Sequence, residues 1–439
     1  FSVVSFMSGG LRLKEKIKAL LKYKSVRSVT TLFSGSLIAQ LIVVGSSPFT
    51  SRLYTDEQMG IYTLMVTVVT LFGSIGCLKF EPAIVVADDD KEAYSVLTLC
   101  FFTCIGITAV VSVGYIAYLF FKPEIFESAG VFALLTIVVL FLTGMNDALF
   151  AFNTRFRKYD LISKAYVTSS ALKYSAQIFL GFFGGGTAGL NMANMTGTAL
   201  GTYFHTRYLW FEKDKLKSVT FSDVKAVAKK YRRQALFTAP ANFVTTAYFQ
   251  LLNFFIEMLY GFAVFGLYSL SYRMLNVPLT LIGNNVARVL FFQNATDEYA
   301  QTGGYRKSLL ISTAVLTAIA IPMVILLCLL SPWLFSIFFG DSWRMSGVYA
   351  IYLTPLYGIR LIVQSLTQAL VIVRKQSVEL IIQCAFLACS IGAFAYCHIS
   401  GAPMEMFLSI ICVSYSFFYL ILYGAIFYFS KPGRTKKAA

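Results

Sequence analysis

The chain alternates long apolar runs with short polar ones. About twelve stretches are apolar over roughly the 20 residues that a helix needs to cross a bilayer. They lie near 30–50, 59–78, 94–121, 129–151, 165–184, 187–206, 237–258, 262–287, 308–330, 346–373, 378–397 and 404–429. The pattern predicts an all-α integral membrane fold. The count drops to eleven if the fifth and sixth runs, parted only by the glycines at 184–186, are one element. The run WLFSIFF at 333–339 is too short to span and is predicted to lie at the interface.

Two of the polar breaks echo each other. The first reads RLYTDEQMGIYTL (52–64) and the second MLYGFAVFGLYSL (258–270). Leu53 pairs with Leu259, Tyr54 with Tyr260, Gly60 with Gly266, Tyr62 with Tyr268 and Leu64 with Leu270, each at the same separation in number. Six runs precede a long basic stretch at 207–236 and six follow it. This predicts a parallel repeat: two six-helix bundles related by a pseudo-twofold axis along the membrane normal, around a central cavity. Each corner is a helix–turn–helix break, with Gly allowing close approach and Tyr suited to the membrane interface. The expected organisation is a basic segment 1–29, a first bundle 30–206, a linker 207–236, a second bundle 237–429 and a basic tail 430–439. Within the linker, FSDVKAVAKKYRRQ suits a short helix on the membrane surface. Pro48, Pro278, Pro322 and Pro355 fall inside runs, where they could kink helices.

Composition agrees. The chain is 57% hydrophobic and 13% charged, with mean hydropathy +0.69. A soluble domain carries about twice that share of charge. Of 37 Lys and Arg, only Arg52, Lys122 and Arg344 fall in loops on the corner side, and Lys173, Arg273 and Arg360 fall within spans. The rest sit in the termini, the linker and the loops on the opposite side. By the positive-inside rule that side is cytoplasmic, and so are both termini. The net charge of +16 then meets anionic headgroups, and nucleic acid is not needed to explain it. No signal-peptide cleavage pattern is visible, so the first run is expected to remain as an anchor. The eight Cys fall in apolar runs and read as small buried hydrophobes. His205 and His398 sit at span ends, and no metal site is expected.

Two stretches carry a family resemblance. SGSLIAQLI and SSPFTSRLYTDEQMGIYTL, followed by LKFEPAIVVADDDKEAYSVLTL, resemble the opening of the bacterial oligosaccharide flippases of the Wzx type. These form the polysaccharide-transporter branch of the MATE-like MOP exporter superfamily. The family pattern of Tyr-Glu-x-Ala-Ile-Val with trailing acids appears here as Phe80, Glu81, Pro82, Ala83, Ile84 and Val85, with Asp88, Asp89, Asp90 and Glu92. Phe80 and Pro82 depart from it. GLYSLSYRMLNVPLTLIGNNVARVLFFQNATDEY is similar to the corresponding stretch of the second half. The resemblance implies two bundles that open alternately inward and outward. The implied cargo is an undecaprenyl-pyrophosphate-linked oligosaccharide, carried across the bacterial inner membrane for O-antigen-like or capsule-like polymers. A polysaccharide polymerase and a chain-length regulator are implied partners beside the membrane lipids. No cofactor is implied, and coupling to H+ or Na+ stays open.

The residues suggest the cavity chemistry independently. Lys173, Arg273 and Arg360 are mid-span cations, which normally face a cavity or a partner. Each shares a helix face with polar neighbours: Gln177 for Lys173, Gln364 for Arg360, Asn276 and Asn284 for Arg273. Gln40, Asn242 and Asn253 extend the polar lining. A basic interior suits an anionic cargo, and Arg273 and Arg360 could converge on one diphosphate. Glu81 and Asp147, at inner span ends, are candidate gate or coupling residues. A glycan polymerase or ligase would carry a large outer loop with catalytic residues, and none is visible, so an enzyme is not expected. A multidrug exporter of the MATE type would favour an acidic interior. It remains an alternative, as does a flippase for another lipid-linked envelope precursor.

Overall fold

The computed structural model describes residues 24–432, and side chains for 34–283 and 290–432. Most of 1–29 and of 430–439, and the Asn284 side chain, lie outside the described residues. No strand occurs among them. The first half contains α1 (Lys24–Leu53), α2 (Asp56–Gly73), the short α3 (Glu81–Val86), α4 (Asp90–Phe121), the short α5 (Pro123–Ala129), α6 (Leu135–Arg155), α7 (Tyr159–Phe182) and α8 (Gly186–Phe211). The linker holds α9 (Lys213–Lys217) and α10 (Phe221–Lys230). The second half contains α11 (Ala239–Pro278), a π-helical turn Leu279–Ala287, α12 (Arg288–Thr302), α13 (Arg306–Phe339), α14 (Arg344–Leu366), α15 (Gln368–Ile372), α16 (Gln376–Ser400) and α17 (Met404–Phe429).

Among the described residues, seven helical segments are long and apolar enough to span. One of them is bent at Gly261, where φ 78° and ψ 177° leave helical geometry, so it supplies two passes. With the less apolar α1, α2, α7 and α8, the described residues make twelve passes. The fifth and sixth are separate helices.

Neighbour order shows the repeat in space. In the first half α1 packs on α7, α7 on α8, α6 on α8, α4 on α6 and α2 on α6. In the second, the first limb of α11 packs on α16, α16 on α17, α14 on α17, α13 on α14, and the π-helical turn on α14. The two lists match helix for helix.

The corners break at equivalent residues. Thr55 is extended and caps α2, accepting the Gln58 amide at 3.2 Å while Gln58 Oε1 accepts the Thr55 amide at 3.2 Å. Gly261 stands at the same place in the second corner. The corner tyrosines do not sit at the lipid interface as expected: Tyr54, Tyr62 and Tyr268 are buried among helices. Tyr54 donates to the Gln177 carbonyl at 2.6 Å, and its counterpart Tyr260 to the Ala402 carbonyl at 3.0 Å. Each hydroxyl ties its corner to the facing end of α7 or α16.

Two further expectations change. WLFSIFF is not a separate element, because α13 runs through Pro332 to Phe339 as one 34-residue helix. The linker helix α10 buries Val224 and Val227 against the first bundle rather than against lipid. Lys230 reaches Asp88 at 2.8 Å and Glu92 at 2.5 Å, and Lys91 reaches Asp223 at 3.0 Å. Three ion pairs beside the apolar stripe make the protein surface the better partner.

Candidate functional site between the bundles

The corner end is closed by two related clamps. At one, Ser51 Oγ donates to the Phe339 carbonyl (3.1 Å), Arg52 Nη2 to the Ile337 carbonyl (3.0 Å), and Trp343 Nε1 to the Ser51 carbonyl (2.6 Å). At the other, Lys122 Nζ lies 2.7 Å from Glu257 Oε1. Glu257 stands at the repeat position of Ser51, so α1 meets α13 where α11 meets α4. Glu257 is 1% exposed, and its second oxygen has no partner. Sequence reading placed Lys122 in a corner-side loop and did not join it to Glu257. The available signal was that each was a lone charge at a corner-side helix end.

Between the clamps, Gly60 of α2 and Gly266 of α11 lie backbone to backbone. A Cβ on either would stand 3.1 Å from the other's amide nitrogen and would strike a carbonyl oxygen, of Phe262 or of Asp56. Glycine is required here for approach.

Below the corners α2 stays zipped to α11. Asn253 Nδ2 donates to Thr67 Oγ1 and Asn242 Nδ2 to the Ser74 carbonyl, both at 3.1 Å. These two asparagines thus spend donors on the seam. Gln177 is also committed, donating to the Tyr62 hydroxyl at 3.3 Å. Gln40 is half-buried on α1.

The cations separate into two settings. Lys173, half-buried on α7, sits 5.9 Å from the Tyr62 ring and 5.6 Å from the Tyr174 ring. Arg273, half-buried on the second limb of α11, is an electrostatic neighbour of both Lys173 and Tyr62. The two cations thus lie within electrostatic range of one another from different bundles, and among the described residues neither pairs with a carboxylate. Arg360 is 8% exposed and caged within the second bundle. Its guanidinium lies 4.2 Å from the Phe249 ring and 5.4 Å from the Tyr357 ring, and Nε donates to Gln364 Oε1 at 2.8 Å. Asn276 turns back to its own helix, donating to the Tyr272 carbonyl at 3.0 Å. Phe249 comes from another helix, and nothing in the sequence pairs it with Arg360, because Phe and Tyr occur throughout the spans.

A second charged cluster lies at the linker end of the first bundle. Leu78 and Lys79 both adopt left-handed backbone (φ 49° and 58°), a costly state for such residues. The turn buries Glu81 to 9% exposure and sets Lys79 Nζ 2.9 Å from Glu81 Oε1, while Oε2 is unpartnered. Asp147 on α6 is exposed and is an electrostatic neighbour of both. The described cysteines are free, and no cluster among the described residues could hold a metal ion.

This arrangement of two six-helix bundles is a transporter fold. The chain is similar to a multidrug-resistance MATE family transporter of the MOP superfamily in its inward-facing conformation, with TM-score 0.68, 15% identity, and coverage of 94% of this chain and 99% of that one. The same superfamily's outward-facing example gives TM-score 0.55 at 14% identity, covering 92% and 94%. A MOP superfamily transporter from Pyrococcus furiosus, described as having a binding pocket of reversed polarity, gives 0.57 at 13% identity, covering 91% and 94%. Among curated proteins none matches significantly. Residues 49–348 match the polysaccharide biosynthesis protein family, and the chain belongs to it. It is a multi-pass membrane protein of that family with the MOP fold.

Proposed function

We propose that this protein moves undecaprenyl-pyrophosphate-linked oligosaccharides from the cytoplasmic to the periplasmic leaflet of a bacterial inner membrane. The observation that carries this reading is the pair Lys173 and Arg273, within electrostatic range of each other from the two bundles and, among the described residues, paired with no carboxylate. A diphosphate placed there would receive charge-assisted hydrogen bonds from both halves at once. Tyr62 and Tyr174 beside Lys173 offer faces for a sugar ring. The family supports a glycan cargo, and the fold supports transport by alternating access. With the corners on the periplasmic side, the closed clamps leave loading from the cytoplasmic side. The Glu81, Lys79 and Asp147 cluster is the proposed coupling element, and a polymerase and a chain-length regulator are proposed recipients of the flipped unit.

The test is a deletion strain that lacks any redundant flippase. Surface glycan should vanish and lipid-linked repeat units should accumulate facing the cytoplasm. The wild-type gene should restore export, and Lys173→Ala with Arg273→Ala should not, at matched amounts of inserted protein. Normal glycan in the deletion strain would sink the reading.

A further inference from the structure

A basic cavity lies away from the cleft, at the linker end of α13. It has a volume of about 660 Å³ and is lined by Glu298, Arg306, Lys307, Leu310, Ile311 and Pro432, among others. Its walls are tied together. Tyr305 donates its amide to the Ser430 carbonyl (3.1 Å) and its hydroxyl to the Ile426 carbonyl (2.8 Å), which pins the loop before α13 to the end of α17. Glu298 caps α13, accepting the amides of Lys307 (2.9 Å) and Ser308 (2.7 Å). Its charge is therefore already engaged. The Arg306 guanidinium carbon lies 4.3 Å from the centre of the Phe427 ring, and Nη1 is enclosed with no acceptor. A charged donor without an acceptor is costly, and the side chain that carries it lines the cavity. Lys307 is exposed at the rim. One turn on, Leu310 and Ile311 project outward from the helix whose apolar window is only 11% buried, so they stand in acyl-chain territory.

We propose that this cavity binds an anionic phospholipid of the cytoplasmic leaflet. Arg306 and Lys307 hold its phosphate, and Leu310 and Ile311 line its first acyl segment. Two cations directly above an apolar, lipid-facing wall match a phosphate ester with tails. A free phosphate would use only half of the site. Phe427 holds the guanidinium in place, so the donor geometry is set before the lipid arrives.

The experiment compares the purified full chain by native mass spectrometry with phosphatidylglycerol, phosphatidylcholine or inorganic phosphate. Phosphatidylglycerol should be retained preferentially. Lys307→Gln, at an exposed position that folding tolerates, should reduce that preference about fivefold, the usual effect of one basic residue at an anionic surface. Arg306→Gln should reduce it further, and Arg306→Lys should keep part of it. The control Lys213→Gln with Lys217→Gln removes two linker charges and should leave it unchanged. Equal retention of the two lipids by wild type would overturn the proposal, as would an unchanged preference in Lys307→Gln. Loss in the linker control, or equally tight inorganic phosphate, would also overturn it.

Discussion

Gly60 and Gly266 occupy the same position in the two repeats and lie backbone to backbone across the bundles, so that a Cβ on either would stand 3.1 Å from the other's amide nitrogen. The pseudo-twofold axis thus runs through one contact between identical residue types. A side chain on either partner meets the same obstacle.

Gly60→Ala and Gly266→Ala should therefore behave alike. Each is expected to weaken the closed corner by about 1–3 kcal/mol, the usual cost of overpacking. Disulfide trapping between Arg52→Cys and Ile337→Cys, in a background without native cysteines, reports that closure. Trapping should be efficient with both glycines present and fall with either alanine. Unchanged trapping in both would mean that the glycine contact does not hold the corner shut.

The clamp between Lys122 and Glu257 should be charge-specific. Glu257→Gln keeps the shape and removes the pair, and corner closure should weaken by about 1–3 kcal/mol, below the usual range for a fully buried pair because Lys122 is partly exposed. The exchange Lys122→Glu with Glu257→Lys should recover much of the loss. If the exchange is no better than either single change, the contact is packing rather than charge.

Arg273 and Arg360 should fail differently. Arg273→Ala should cost transport at normal levels of inserted protein, and Lys173→Ala should do the same from the other bundle. Arg360→Ala empties an aromatic cage and strips Gln364 of its donor. It should lower thermal stability in detergent by about 1–3 kcal/mol, the range for a stranded buried polar group. Equal losses of stability at Arg273 and Arg360 would remove the distinction.

Docking of α10 should be insensitive to pH near neutrality. Hydrogen bonds from Thr220, with Lys91 beside them, hold the Asp223 carboxyl down at about 2. Its contribution is present above the unfolded value and is lost only as pH falls through about 2. Asp88 and Glu92 hold the Lys230 ammonium above its ordinary range, so that contribution persists until pH rises past the free lysine value. Hydrogen exchange over 221–230, corrected for intrinsic rates, should show constant protection between about pH 5 and 9. A transition inside that window would show that other groups govern docking.

The span count, the repeat and the corners were legible because each rests on local pattern: apolar length, a constant numbering shift, and Gly and Tyr in fixed places. That WLFSIFF continues a longer helix was not legible, because Pro332 reads as a break and α13 accommodates it. The linker helix misled because an amphipathic stripe fits a bilayer and a protein surface equally well. Only the facing acids Asp88 and Glu92 decide between them, and those lie more than a hundred residues away. Lys173, Arg273 and Arg360 were visible as mid-span cations. Their grouping was not, because a helix face tells which residues share a side but not what stands opposite.

The docked linker has a mechanical consequence. The only covalent bridge between the halves is fastened to the first of them through Val224, Val227 and Lys230. Any rocking of one half on the other must be taken up in the few residues that remain, Tyr231 to Thr238, where the backbone winds into a π-helical turn at Gln234–Thr238. That turn is the slack in an otherwise taut tether. Its length limits how far the halves can swing apart, much as a door chain sets the opening of a door.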